Sequence, residues 1–493
     1  MQALFFAKYK NSFRPADGFF FPRAVVKWRK PKKGAKTVKR LLKGGTIVRG
    51  SGMERADVLI DGEVVAAVGG NLPCEEVAVE DVSGKLLMPG FIDAHTHFDL
   101  DVCNTTTADD FASGSRSALR GGTTTVVDFA CPNKGESLKH GLELWHRKAD
   151  GKSACDYGFH MTIDDWNESI RAELPDMFAA GITSFKMYMT YPAMMIGDQS
   201  MFYALQELGR LGGIAGVHCE NSGVIDALIA ERKAAGLLGP DSHPVTRPAA
   251  LEAEAVDRLL RMAEVAGVPV VIVHLSTAES LKEVRAARRR GQTVYVETCP
   301  HYLLLDESVY RQADYSAAAR YICAPPIRSA ADREALLEAL AADEIQTVST
   351  DHCSFTLRQK DAGRGDFTKI PGGLPGVETR GELMCTLAAE RRFSFETAVR
   401  VMAENPAKLY GMWPRKGAIR AGSDADIVVY DPKADHTIAG AEQVTAAGYT
   451  PFEGFRTKGS VERVFLRGCP AVEGGKLTGL AQGRYIARGK PNL

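Results

Sequence analysis

The chain has 493 residues, 45% hydrophobic and 25% charged, with 61 basic and 61 acidic side chains. That composition belongs to a protein with a sizeable folded core and excludes a disordered chain, a collagen-like repeat and a small disulfide-stapled domain. A formal net charge of zero offers no global field to recruit nucleic acid, and no stretch reaches the roughly 18 apolar residues of a membrane-spanning helix.

Residues 1–40 stand apart, with twelve Lys/Arg against one acid, Asp17. Lys8, Lys10 and Arg14 interrupt the Phe-containing start, so no signal-peptide core forms. With Ser12 as its one serine, the segment reads as a solvated basic extension rather than a transit peptide. The ten cysteines, from Cys74 to Cys469, contain no C-x-x-C pair and read as reduced thiols of a cytoplasmic enzyme.

After the extension, residues 41–85 are short β-like runs with turns, such as Asp57-Val58-Leu59-Ile60-Asp61. From residue 86 the pattern changes to apolar runs separated by amphipathic stretches. The runs are Leu86 to Ala94, Thr123 to Ala130, Tyr157 to Ile163, Thr183 to Met189, Ile214 to Cys219, Pro269 to Leu275, Val294 to Cys299 and Gln346 to Thr350. Ala249 to Val265, Thr277 to Arg290 and Ala330 to Ala342 carry helical periodicity between them. Alternation of that kind predicts a (β/α)8 TIM barrel over 86–412. Residues 413–475 return to short β-like runs, and 476–493 form a tail. Neither flank holds enough apolar residues for its own core, so one small β-sandwich domain built from both chain ends is expected.

Asp93-Ala94-His95-Thr96-His97 ends the first run. Residues two apart on a strand face one side, so both imidazoles can reach one metal. His218, His274 and Asp351 end or follow the fifth, sixth and eighth runs, and strand ends of a barrel converge on its catalytic face. Lys186 lies within the fourth run among apolar neighbours. Burial lowers an amine's pKa, and a neutral amine reacts with carbon dioxide to give a carbamate. Such an anion offsets the charge of two divalent cations, which an ammonium would only increase.

These residues resemble the dihydropyrimidinase and hydantoinase branch of the amidohydrolase superfamily over about residues 41–485. The resemblance is carried by Pro89 to His97, Gly121 to Thr125, Ser184-Phe185-Lys186, Val217 to Asn221 and His274-Leu275-Ser276. It is carried further by Glu297 to Tyr302, Pro325 to Arg328, Asp351-His352-Cys353 and Gly422 to Val428. The resemblance implies two divalent ions, Zn2+ on the family pattern. His95, His97 and Asp351 would hold one and His218 and His274 the other, with carbamylated Lys186 between them. It implies Asp351 as the group that takes and returns a proton, and Tyr191 as the donor to the developing oxyanion. Ala324 and Gly372 would bind the cyclic amide through backbone groups; many relatives have Ser and Asn there. Val102, Cys103, Tyr188 and Met195 are the expected gate to the ring substituent. The resemblance also implies an N-carbamoyl amino acid as the product and a homo-oligomer, commonly a tetramer, as the assembly.

Two alternatives stand beside this reading. One is an allantoinase-type amidohydrolase, towards which Ala324-Pro325-Pro326 leans. The other is a non-catalytic dihydropyrimidinase-related scaffold protein, against which the full ligand set argues. Dihydroorotase-like sequences carry Arg where this chain has Asp99. With Asp99 and Asp101 in the loop after the first strand and no nearby cation, neutral rings are expected to be preferred over dihydroorotate.

Overall fold

A computed structural model describes residues 39–73 and 75–493. The basic extension therefore lies, up to residue 38, outside the described residues.

The chain begins with β1 (Lys39–Lys43), β2 (Thr46–Arg49), β3 (Gly52–Arg55), β4 (Asp57–Asp61), β5 (Val64–Gly69), β6 (Ala78–Asp81) and β7 (Leu86–Pro89). It then enters the barrel with β8 (Phe91–Thr96), and a short hairpin follows, β9 (Asp101–Val102) with β10 (Thr105–Thr106). The remaining barrel strands are β11 (Thr123–Ala130), β12 (Asp156–Thr162), β13 (Ser184–Tyr188), β14 (Ile214–His218), β15 (Val270–Ile272), β16 (Val294–Thr298) and β17 (Thr347–Val348). The chain closes with β18 (Ile427–Asp431), β19 (Ser460–Leu466), β20 (Cys469–Glu473) and β21 (Lys476–Leu477).

The eight barrel strands pair in parallel in chain order, with β8 and β17 at the two ends. A Thr96–His352 bridge joins those ends. Arg380 fastens the seam from inside, donating to Ile92 O at 2.8 Å, Val348 O at 2.9 Å and Thr123 Oγ1 at 3.0 Å. Strands buried on both faces read as unbroken apolar runs because helices cover the outside. The amphipathic stretches become helices Ala249–Ala266, Ala278–Arg289 and Ala330–Ala341. The Thr277 and Ser329 side chains cap the last two by accepting from backbone N–H groups of the first turn.

The flanking strands form two further sheets in the orders β5-β4-β1-β6 and β21-β20-β19-β18-β7-β2-β3. The second sheet interleaves both chain ends, since β18 pairs antiparallel with β7 and β2 pairs parallel with it. Their shared core includes Leu42, Val58 and Leu87 from one end and Ile427, Val429 and Phe465 from the other. The first apolar run is thus two strands. Leu86–Pro89 belongs to the sandwich and Phe91–Thr96 to the barrel, with Gly90 N donating to Asp426 O at the crossing. A Cβ at Gly90 would lie 2.2 Å from Thr124 Oγ1, so only glycine fits this crossover.

A buried ion cluster couples sandwich and barrel. Lys416 Nζ lies 2.5 Å from Asp156 Oδ2, 2.6 Å from Asp426 Oδ2 and 3.0 Å from Asp424 Oδ2, and Arg467 also pairs with Asp156. The tail packs on β12, with Ile486 N donating to Tyr157 O at 2.7 Å. Among the described residues, no helix is long and apolar enough to cross a membrane.

Candidate metal centre

Each candidate ligand sits in a barrel strand or within three residues past its end. His95 is in β8 and His97 one residue past it; Lys186 is in β13, His218 closes β14, and His274 and Asp351 follow β15 and β17. The fold therefore brings all six to one face. Ring centroids are 5.2 Å apart for His95–His97, 5.4 Å for His95–His274 and 4.5 Å for His218–His274. Asp351 Oδ1 lies 3.2 Å from His95 Nε2 and 3.1 Å from His97 Nε2. Tyr191, His274 and Asp351 all have positive φ, at 67°, 38° and 49°. Non-glycine residues hold such backbone conformations only where surrounding structure enforces them, and they gather at functional sites.

Protonation states follow from burial and neighbours. Burial pulls the His95, His218 and His274 imidazoles below their ordinary pKa, and the Lys186 cation reinforces this. Burial alone would raise Asp351, yet the surrounding imidazoles hold it well below the carboxylate range. Burial pushes Lys186 down to about 8, against the pull of Asp351 and Glu297. Neutral imidazoles beside an ionised carboxylate are the states that metal coordination requires. His95, His274 and Asp351 each offer a ligand atom within 4.8 Å of the others. His95 Nε2 and His274 Nδ1 are buried with no hydrogen-bond partner among the described residues. Bare imidazole nitrogens facing an ionised carboxylate fit a divalent ion.

Two glutamates prepare these ligands, and neither was assigned a role from sequence. His95 Nδ1 donates to Glu297 Oε1 at 2.6 Å, which leaves Nε2 as the nitrogen available to a metal. His218 Nε2 donates to Glu220 Oε2 at 2.7 Å, and Arg247 Nη1 reaches the same oxygen at 2.5 Å. Burial opposes the charge on Glu220, but Arg247 and His218 hold it at about 2. Arg247 also lies 5.6 Å from the centroid of the Tyr191 ring. Glu220, two residues beyond His218, and Glu297, at the end of the seventh run, carried a positional signal. Arg247, far along the chain, carried none.

A cavity of about 410 Å3 opens over the cluster. Its wall includes the six ligand candidates with Tyr191, Ala324, Gly372, Val102, Cys103 and Tyr188. Two expectations need correction. Met194 rather than Met195 lines the cavity; both N–H groups close the turn on Tyr191 O, and the Met195 carbonyl is taken by Lys134. Asp99 and Asp101 are not in the wall, whereas Arg247 is. The cation that the local sequence lacks thus arrives from a distant segment, although Glu220 already engages it. Burial keeps the Tyr191 hydroxyl well above its usual pKa, so it remains a donor. Among the described residues, the N–H and C=O of Ala324 and Gly372 form no hydrogen bond.

A barrel that gathers imidazoles, a carboxylate and a buried lysine at its strand ends is the architecture of the amidohydrolases, and the sequence matches the Amidohydrolase family over residues 86–471. It is 40% identical to a D-hydantoinase of Streptomyces coelicolor, covering 91% of this chain and 97% of that one. It is 39% identical to a D-hydantoinase of Geobacillus stearothermophilus, covering 92% and 97%. A crystal structure of dihydropyrimidinase from Brevibacillus agri superposes with a TM-score of 0.91 at 39% identity, covering 92% and 99%. The chain belongs to the hydantoinase and dihydropyrimidinase branch of the amidohydrolase family.

Proposed function

We propose that this chain hydrolyses the ring amide of 5,6-dihydropyrimidines or 5-substituted hydantoins to N-carbamoyl amino acids. The observation that carries the reading is the cavity wall. It presents the ligand cluster together with the N–H and C=O of Ala324 and Gly372, which form no hydrogen bond among the described residues. A cyclic imide offers alternating C=O and N–H groups, which two free peptide groups can meet without any charged side chain.

Two divalent ions, for which the imidazole and carboxylate donors favour Zn2+, would be held by His95, His97, Asp351, His218 and His274. When bound, they supply a nucleophile near neutral pH and polarise the scissile carbonyl. Lys186 would enter as the carbamate: its neutral amine forms the N–C bond to carbon dioxide and releases a proton. Asp351 accepts a proton as the nucleophile is generated and returns it to the departing amide nitrogen. Tyr191 Oη donates to the oxygen on which negative charge develops. Apolar Val102, Tyr188 and Met194 would face the ring substituent and keep water from it. A cytoplasmic homotetramer goes with this reading, and sedimentation equilibrium reads the assembly directly.

The test is a turnover panel on metal-replete protein with dihydrouracil, dihydrothymine, 5-substituted hydantoins, allantoin and dihydroorotate. The neutral imide rings should be opened, with dihydroorotate at least ~100-fold poorer in kcat/KM because Arg247 is already committed to Glu220. Turnover confined to allantoin would replace the reading with the allantoinase type. Absence of tightly bound metal and of all turnover would leave the scaffold.

A further inference from the structure

The short helix Leu357–Asp361 takes no part in the chemistry above, yet it holds a buried cation. Lys360 is 1% exposed, and no carboxylate pairs with it among the described residues. Burying an unpaired ammonium is costly unless every donor is met. Its N–H groups go to three backbone carbonyls, Ile322 O, Pro371 O and Gly373 O, each at 2.7 Å. One N–H per carbonyl uses the whole donor capacity of the group.

Those carbonyls belong to the two segments that carry the free peptide groups of the cavity wall. Ile322 lies just before Ala324, and Pro371 and Gly373 flank Gly372. The Gly373 N–H donates to Ile322 O at 3.0 Å, so the segments meet at the ammonium. Contact there is tight, since a Cβ at Gly373 would sit 2.3 Å from Cys353 O. Pro371 C=O and Gly372 N–H are two ends of one peptide group. A cation on the oxygen draws electron density from the amide and makes the N–H at the other end a stronger donor. The neighbouring Gln359 Nε2 donates to Thr105 Oγ1 and Thr106 O, both at 2.8 Å, which ties the β9–β10 hairpin to the same helix.

We propose that Lys360 is a positioning residue for substrate: its ammonium joins the 322–324 and 371–373 segments and strengthens the Gly372 N–H, building the socket for the ring imide. The inference rests on the reading of Ala324 and Gly372 as imide contacts. A side chain that only braced the fold would, when removed, lower stability and the active fraction but leave KM alone. A side chain that shapes the socket changes KM, because those contacts hold the ring equally in the ground and transition states.

The experiment uses metal-loaded full-length wild type, Lys360→Met and Lys360→Gln, with dihydrouracil and hydantoin as probes. Lys360→Met removes every donor, and Lys360→Gln retains two N–H groups. KM should rise by at least ~10-fold in Lys360→Met and by less in Lys360→Gln, with kcat and bound metal within ~3-fold of wild type. Active variants with the wild-type KM overturn the proposal. Should Lys360→Met not fold, Lys360→Gln decides alone, and an unchanged KM there overturns it equally. A wild-type protein that opens neither ring would topple the imide reading and the proposal together. Unchanged KM in variants of a competent wild type topples the proposal alone.

Discussion

An unmodified Lys186 should make the metal-free protein less stable than a variant that lacks the charge. The side chain is 1% exposed, with Nζ 5.1 Å from the Phe129 centroid and 5.0 Å from that of Tyr188. Burial lowers the amine from 10.5 to about 8, a difference worth about 3 kcal/mol. Below pH 8 the amine is protonated in folded and unfolded chains alike, so the fold bears the whole penalty. Between about 8 and 10.5 the unfolded chain binds more protons, and raising the pH relieves the fold progressively. Lys186→Met, prepared without metal or bicarbonate, should therefore exceed metal-free wild type by about 3 kcal/mol at neutral pH. The gap should close as pH approaches 10.5. Urea unfolding of both proteins at the two pH extremes measures it. Equal or greater stability of metal-free wild type at neutral pH would refute the argument, since the ammonium would then be well accommodated. The same shift leaves about 10% of the amine neutral at pH 7, against about 0.03% for an ordinary lysine, and the neutral form is the one that captures carbon dioxide.

Tyr191→Phe deletes the hydroxyl donor while keeping the ring that stacks with Arg247; kcat should fall about 10²- to 10³-fold with metal content unchanged, and wild-type kcat would remove Tyr191 from the chemistry. Glu297→Leu keeps the approximate size but removes the acceptor that fixes the His95 tautomer, so metal affinity measured by chelator competition should weaken about 10- to 100-fold. Unchanged affinity would show that the tautomer is set elsewhere.

The barrel was legible because each strand is buried on both faces and each helix on one, so the two periods alternate along the chain. Strand β11 begins and ends where its apolar run does, at Thr123 and Ala130. The run at Leu86 misled because apolarity marks burial and not the sheet in which a strand is buried; only the pairing of β7 with β18 separates it from β8. The candidate histidines and Asp351 were legible because they fall at or just past strand ends, a position that sequence order reports, and Lys186 because it is a cation inside an apolar strand. Arg247 and Lys360 were not, since one acts through a pairing with Glu220 and the other through carbonyls of distant loops. Met195 failed by one residue for a related reason. A turn after Tyr191 decides which of two adjacent methionines faces the cavity, and hydrophobicity does not distinguish them.

The interleaved sandwich also sets a timetable for the nascent chain. On the ribosome β2, β3 and β7 emerge early, but β7 acquires its second neighbour only when residues 427–430 have been made. Until then one edge of Leu86–Pro89 offers unpaired N–H and C=O groups on an apolar strand, which is the template that edge-to-edge association needs. All of β8 to β17 must be synthesised within that interval, so the barrel's first strand is tethered throughout to a half-built sheet. Yield in the cell is thus governed by how well that edge is shielded during elongation, and holdase supply and translation speed bear on it as directly as the stability of the finished fold.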